Sequence, residues 1–142
     1  MTFDELQQLA EKDLKINDTE LDLESLKTPQ LHNKWMKFHN QYTNLLKKTE
    51  QDRDRLLREK WEYYTGKADP SVYQVKPFNI KLLKPDVDKY IKADEDMIKL
   101  EQKVTYVQSV VDYLDRTVKI ISNRGFQIKN AIDWRKFTSG VI

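Results

Sequence analysis

The sequence predicts a mainly α protein, with long coiled-coil-like helices, a proline-containing hinge and oligomerisation through the C-terminal helix. Three observations carry this. From Leu100 the chain places Leu100, Val104, Val107, Val111, Leu114, Val118, Ile121, Gly125, Ile128 and Ile132 at alternating steps of four and three, which keeps one stripe on one side of a helix. An earlier run, Leu31, Trp35, Phe38, Tyr42 and Leu45, has the same rhythm. Three glycines and four prolines in 142 residues leave few turns.

Taken in order, Thr2-Phe3-Asp4-Glu5 has capping-box spacing, and Leu6, Leu9 and Ala10 continue it as a short amphipathic helix. From Lys15 to Lys27 the pattern is open between an extended arm and an irregular turn, so residues 1–27 read as an acidic N-terminal arm. Thr28-Pro29 is a helix-start signal, since Thr caps well and Pro is tolerated at the first helical position. A long helix over 28–66 follows. Its middle, Lys47 to Arg55, is polar all round and must face water or pair its charges with a neighbour. Gly66, Pro70, Pro77 and Pro85 then exclude continuous helix, making 67–92 a hinge whose Val72, Val75, Phe78, Ile80, Leu82 and Leu83 suit a short strand or hairpin. Asp94-Glu95-Asp96 opens the last helix, over 93–140, with acids that complement its dipole.

That helix carries the predicted assembly. Val110, Tyr113 and Ile120 widen its stripe, and few other apolar segments are present to cover it. Val104, Val107, Val111, Leu114, Val118, Ile121, Phe126, Ile128 and Ile132 are therefore expected to pack against copies of the chain, with an intramolecular helical hairpin as the alternative.

Composition excludes several classes. Fifteen aromatic residues stand against disorder. Mean hydropathy is −0.79, and no apolar run approaches the roughly 20 residues of a membrane span. The N-terminus lacks the look of a signal peptide. No cysteine is present, so disulfides and thiolate metal sites are ruled out, and a cytoplasmic protein is expected. His32 and His39 lie two turns apart with no third ligand candidate, so no metal is assigned. Neither a phosphate-binding glycine loop nor a nucleophile elbow occurs, so no catalytic residue, cofactor or enzymatic activity is expected. The net charge of +2 conceals a polarity: residues 1–28 hold eight acids against three bases, leaving +7 on the rest. An acidic arm on a basic body suits a basic partner or a polyanion site.

A basic-aromatic segment is the remaining chemical signal: Arg53, Arg55, Arg58, Lys60, Trp61, Tyr63, Tyr64, Gly66 and Lys67. Cations neutralise phosphates, and aromatic faces stack on unpaired bases whatever their sequence. Five acids among the seven bases of 47–67 dilute it, so the segment fits a nucleic-acid site and a solvated helix face equally. A second cluster, Lys119, Arg124, Lys129, Arg135 and Lys136, is explained by helix C-terminal charge alone.

Three stretches resemble the phage UvsY recombination-mediator family: Leu57-Arg58-Glu59-Lys60-Trp61-Glu62-Tyr63-Tyr64-Thr65-Gly66, then Arg124-Gly125-Phe126 with Ile128-Lys129, then Asp133, Arg135, Phe137 and Gly140. Lys34-Trp35 and His39 also match. The resemblance implies a protein without catalysis that assembles into a ring of six or seven subunits and binds single-stranded DNA. It further implies that the ring weakens the hold of single-strand DNA-binding protein and loads a RecA-like recombinase, in the host cytoplasm, with no membrane. The family's DNA-contacting pair maps onto Arg58 and Lys60, in reversed order with Glu59 between, and its assembly segment onto Arg124 to Phe137. The expected DNA-binding set is Arg55, Arg58, Lys60, Trp61, Tyr64 and Lys67. A coiled-coil scaffold that binds only proteins is the alternative function.

Overall fold

The computed structural model describes residues 1–140, which form six helices: α1 (Phe3–Leu14), α2 (Leu21–Tyr64), α3 (Pro70–Val75), α4 (Lys84–Lys92), α5 (Glu95–Ser122) and α6 (Arg124–Thr138). No strand occurs among the described residues. The chain divides into two compact units. One comprises Met1–Thr43 and the described residues from Val110 onward; the other is Asn44–Ser109. Helices α2 and α5 contribute a segment to each.

In the first unit α1 starts on the predicted capping box, with Thr2 and Glu5 bonding reciprocally. Its Leu6 and Ala10 are fully buried with Trp35 of α2 and with Val110, Leu114 and Ile121 of α5. Asp13 ties the two N-terminal helices together, accepting from Trp35 Nε1 at 3.1 Å and from Lys34 Nζ at 2.7 Å. The stripe of α5 is thus covered by its own chain. Leu114 and Ile121, expected to pack against copies, are instead buried within the chain, because the amphipathic helix of the acidic 1–27 arm and Trp35 of α2 pack against them. Ile128 is also buried, at 2% exposure, and in the second unit Val107 and Val104 of the same stripe are buried at 2 and 8%.

Two helix boundaries also differ from expectation. Helix α2 begins at Leu21, and Pro29 lies inside it. The Thr28 hydroxyl is not a cap: it accepts a hydrogen bond from Arg124 Nη1 at 2.9 Å. Arg124 also bonds the Glu24 carboxylate and carbonyl, and both residues are buried. Burying Leu21 and pairing Glu24 require helix upstream of Pro29, which offsets the ~3 kcal/mol that an interior proline costs. At the other end, the expected single helix over 93–140 is broken at Asn123 into α5 and α6. Gly125 is exposed and a Cβ there would meet nothing within 4 Å, so it marks no close approach.

In the second unit the region read as a strand or hairpin is two short helices joined by an extended segment, 76–83. Val87, Ile91 and Met97 form its core, with Leu56, Tyr64 and Leu82 packed against them. Asp94 starts α5 as expected, its Oδ1 accepting from the amides of Asp96 and Met97 at 2.9 and 3.2 Å. In the polar middle of α2, Thr49 is buried and its hydroxyl bonds the Leu45 carbonyl at 2.7 Å. Arg53 lies 3.9 Å from Glu101 of α5, pairing its charge with a neighbouring helix.

Candidate nucleic-acid interface

The basic-aromatic segment occupies the last turns of α2, within the second unit. A helix advances about 100° per residue, so side chains two apart diverge by about 200°. Arg58 and Lys60 accordingly do not form one patch. Arg58 is 73% exposed and its Nε lies 3.8 Å from Glu62, a loose surface contact. Arg55, one turn earlier on the same face, is 71% exposed and 4.0 Å from Asp52. Both guanidiniums keep most of their donors free for an anion.

Lys60 faces the other way. Its side chain is 15% exposed, with Nζ 2.9 Å from Asp96 and 3.3 Å from Asp94. Burial alone would lower its pKa, but the hydrogen bond to Asp96 and the charges of both carboxylates outweigh burial and raise it. Asp94 shows the reciprocal balance. Burial pushes it up, yet the Tyr64 hydroxyl at 2.7 Å, the Met97 amide and Lys60 together hold it below the usual carboxylate range. Burial and the bond to Asp94 raise the Tyr64 phenol well above its ordinary value. Lys60, Tyr64, Asp94 and Asp96 thus form a closed network that fastens the end of α2 to the start of α5.

Trp61 remains on the outer side, 43% exposed, with Lys67 Nζ 4.5 Å from its ring centroid. A cation held over an exposed indole sits on the ring face that a base would stack on. Of the six expected residues, Arg55, Arg58, Trp61 and Lys67 therefore offer charge and ring surface to solvent, whereas Lys60 and Tyr64 are committed inward. Sequence reading missed the aromatic cluster behind them. Tyr63 stacks on Tyr73 at 5.5 Å, and Phe78 packs against Tyr64 and Tyr90 at 5.1 and 5.9 Å. Its members lie up to 27 positions apart, so only the aromatic count hinted at it.

On α6, in the first unit, Phe126, Trp134 and Phe137 are 70, 65 and 73% exposed, and the last two stack at 5.7 Å. Among the described residues no cluster of His, Asp or Glu is arranged to hold a metal ion, and no helix is long and apolar enough to cross a membrane.

The family described as recombination, repair and single-stranded DNA-binding protein UvsY matches residues 9–141, nearly the whole chain. The chain belongs to the UvsY family. The recombination protein UvsY of phage T4 is 26% identical over 140 residues, covering 99% of each chain. Crystal structures of the T4 recombination mediator UvsY superpose with a TM-score of 0.86 in two lattice forms. One is 26% identical over 98% of both chains, the other 25% identical over 96% of this chain and 99% of that one. UvsY is a recombination, repair and DNA-binding family rather than a known enzyme family, and its all-α architecture is the one found here.

Proposed function

We propose that this UvsY-family chain is a recombination mediator that binds single-stranded DNA through the outer face of α2, led by Arg55, Arg58, Trp61 and Lys67. The observation carrying this reading is that those four are exposed together while Lys60 is neutralised by Asp94 and Asp96. Two loosely paired guanidiniums supply phosphate charge and the indole supplies a stacking face. Such a site is weak in one subunit. Copies assembled in a ring of six or seven would multiply it by avidity.

The assembly surface in this reading is the exposed face of α6 that carries Phe126, Trp134 and Phe137, opposite the buried Ile128 on the same helix. An assembled ring would loosen single-strand DNA-binding protein from DNA and load a RecA-like recombinase, in the host cytoplasm.

The test is fluorescence anisotropy with an unstructured oligonucleotide at two salt concentrations. Wild-type binding should weaken steeply with salt, and Arg55→Ala with Arg58→Ala should abolish most of it. Undiminished binding by that double variant would overturn the site; no binding by the wild type would favour a scaffold that contacts only proteins.

A further inference from the structure

Beside the outer face of α2, still within the second unit, runs a groove that the four residues above do not use. It has a volume of about 510 Å³ and is lined by Tyr64, Thr65 and Gly66 together with Phe78, Lys81 and Lys84. Three features set it apart. No carboxylate lines it, whereas the neighbouring cavity contains Glu59, Glu62, Asp69 and Asp96. Lys81 and Lys84 are exposed, and neither has an ion-pair partner among the described residues. Lys84 is moreover the first residue of α4, where the helix dipole disfavours a cation, so helix-start chemistry gives no reason for it.

The walls are fixed rather than loose. Phe78 packs edge-on against Tyr64 and against Tyr90, and Tyr63 in turn packs on Tyr64 at 5.0 Å. Phe78 is half-buried, leaving part of its ring in the groove. Gly66, at φ 76°, has open space where a Cβ would stand, so the backbone there is bare. A preformed aromatic wall flanked by two free ammonium groups matches one unpaired base with phosphates on either side. Its volume falls in the range of roughly 300–1,000 Å³ typical of small-ligand sites.

We infer that this groove is a second single-stranded DNA subsite, in which one unpaired base stacks against the half-buried ring of Phe78 while Lys81 and Lys84 neutralise adjacent phosphates. The inference rests on the DNA-binding reading above and extends it past the end of α2. Lys67, which covers Trp61, directly follows Gly66 in the chain, so the two subsites share one turn.

The test uses the full chain and an oligothymidylate of about 15 nucleotides. Lys81→Gln with Lys84→Gln, at exposed positions, should lower affinity about tenfold. It should also make the slope of log affinity against log salt shallower by about 1.4, the loss of two phosphate contacts. Independently of any variant, wild-type protein irradiated with a 5-iodouracil oligonucleotide should crosslink within the peptide carrying Phe78, and a duplex of the same length should not. If Arg55→Ala with Arg58→Ala loses binding while the double glutamine variant keeps wild-type affinity and slope, the groove is overturned and the α2 face stands. Crosslinks confined to the peptide that carries both Trp61 and Tyr64 would overturn it equally. Failure of the wild type to bind the oligonucleotide would overturn both.

Discussion

Arg58 and Lys60 stand two positions apart on α2 and leave it on opposite sides, one into water and the other between Asp94 and Asp96. Alanine at the two positions should therefore do different things. Arg58→Ala removes an exposed cation and should weaken single-stranded DNA binding several-fold with an unchanged melting temperature. Lys60→Ala strips the partner from Asp94, whose side chain is 3% exposed, and should destabilise the fold by about 2–3 kcal/mol. That is near the low end of what breaking a buried pair costs, because Asp96 is largely solvated. Paired melting and anisotropy measurements check this. Lys60→Ala melting like the wild type while losing DNA would return Lys60 to the interface.

The same network should limit the fold's stability at both ends of the pH scale. Asp94 and Asp96 have depressed pKa values in the folded chain, so their stabilisation is present above the ordinary carboxylate range and is lost as pH falls through and below about 4. Lys60 and Tyr64 are shifted upward, so theirs is complete below about pH 10 and is lost as pH rises beyond it. Thermal denaturation followed by circular dichroism should show a plateau between about pH 5 and 9 with a fall on either side. In Asp94→Asn both falls should flatten; an unchanged alkaline limb would mean that the network does not govern it.

How far the fold could be read from residues alone depended on how local its causes are. The capping box at Thr2, the acid start at Asp94 and the 4-3 stripe of α5 are set by neighbours within a few positions, and each appears where the spacing put it. Thr28-Pro29 misled because its local preference is real but is overridden by Arg124, nearly a hundred residues away. The stripe itself does not say what covers it. Few apolar segments stood out to cover it, yet Leu6, Ala10 and Trp35, with Phe3, Leu9, Leu14, Leu31 and Phe38 packed around them, bury Leu114 and Ile121. At the candidate interface, composition found the cations and rings, but which of them remain free was decided by Asp94 and Asp96, thirty or more positions on.

Arg124 makes a sharper test of the buried pair in the first unit. Its guanidinium serves the Glu24 carboxylate, the Glu24 carbonyl and Thr28 together, a fork that an ammonium lacks. Arg124→Met leaves Glu24 buried without its arginine and should cost about 3–5 kcal/mol in urea unfolding. Arg124→Lys should recover less than half of that. Full recovery by lysine would show that charge alone, without the planar fork, holds the start of α2.

Core and assembly should separate on the C-terminal helices. Leu114 is fully buried in the first unit, so Leu114→Ala opens a cavity and should cost about 2–5 kcal/mol of stability. Because its side chain faces the chain's own α1 and α2, the folded fraction should keep its wild-type sedimentation. Trp134 and Phe137 touch each other and are otherwise largely in solvent. Trp134→Glu with Phe137→Glu should therefore leave thermal stability within about 1 kcal/mol, as surface changes do, while placing two charges in an apolar contact between copies. Analytical ultracentrifugation of that variant should show the 17.0 kDa monomer where the wild type sediments as an oligomer. If the double glutamate variant sediments with the wild type, the exposed rings of α6 do not join the subunits.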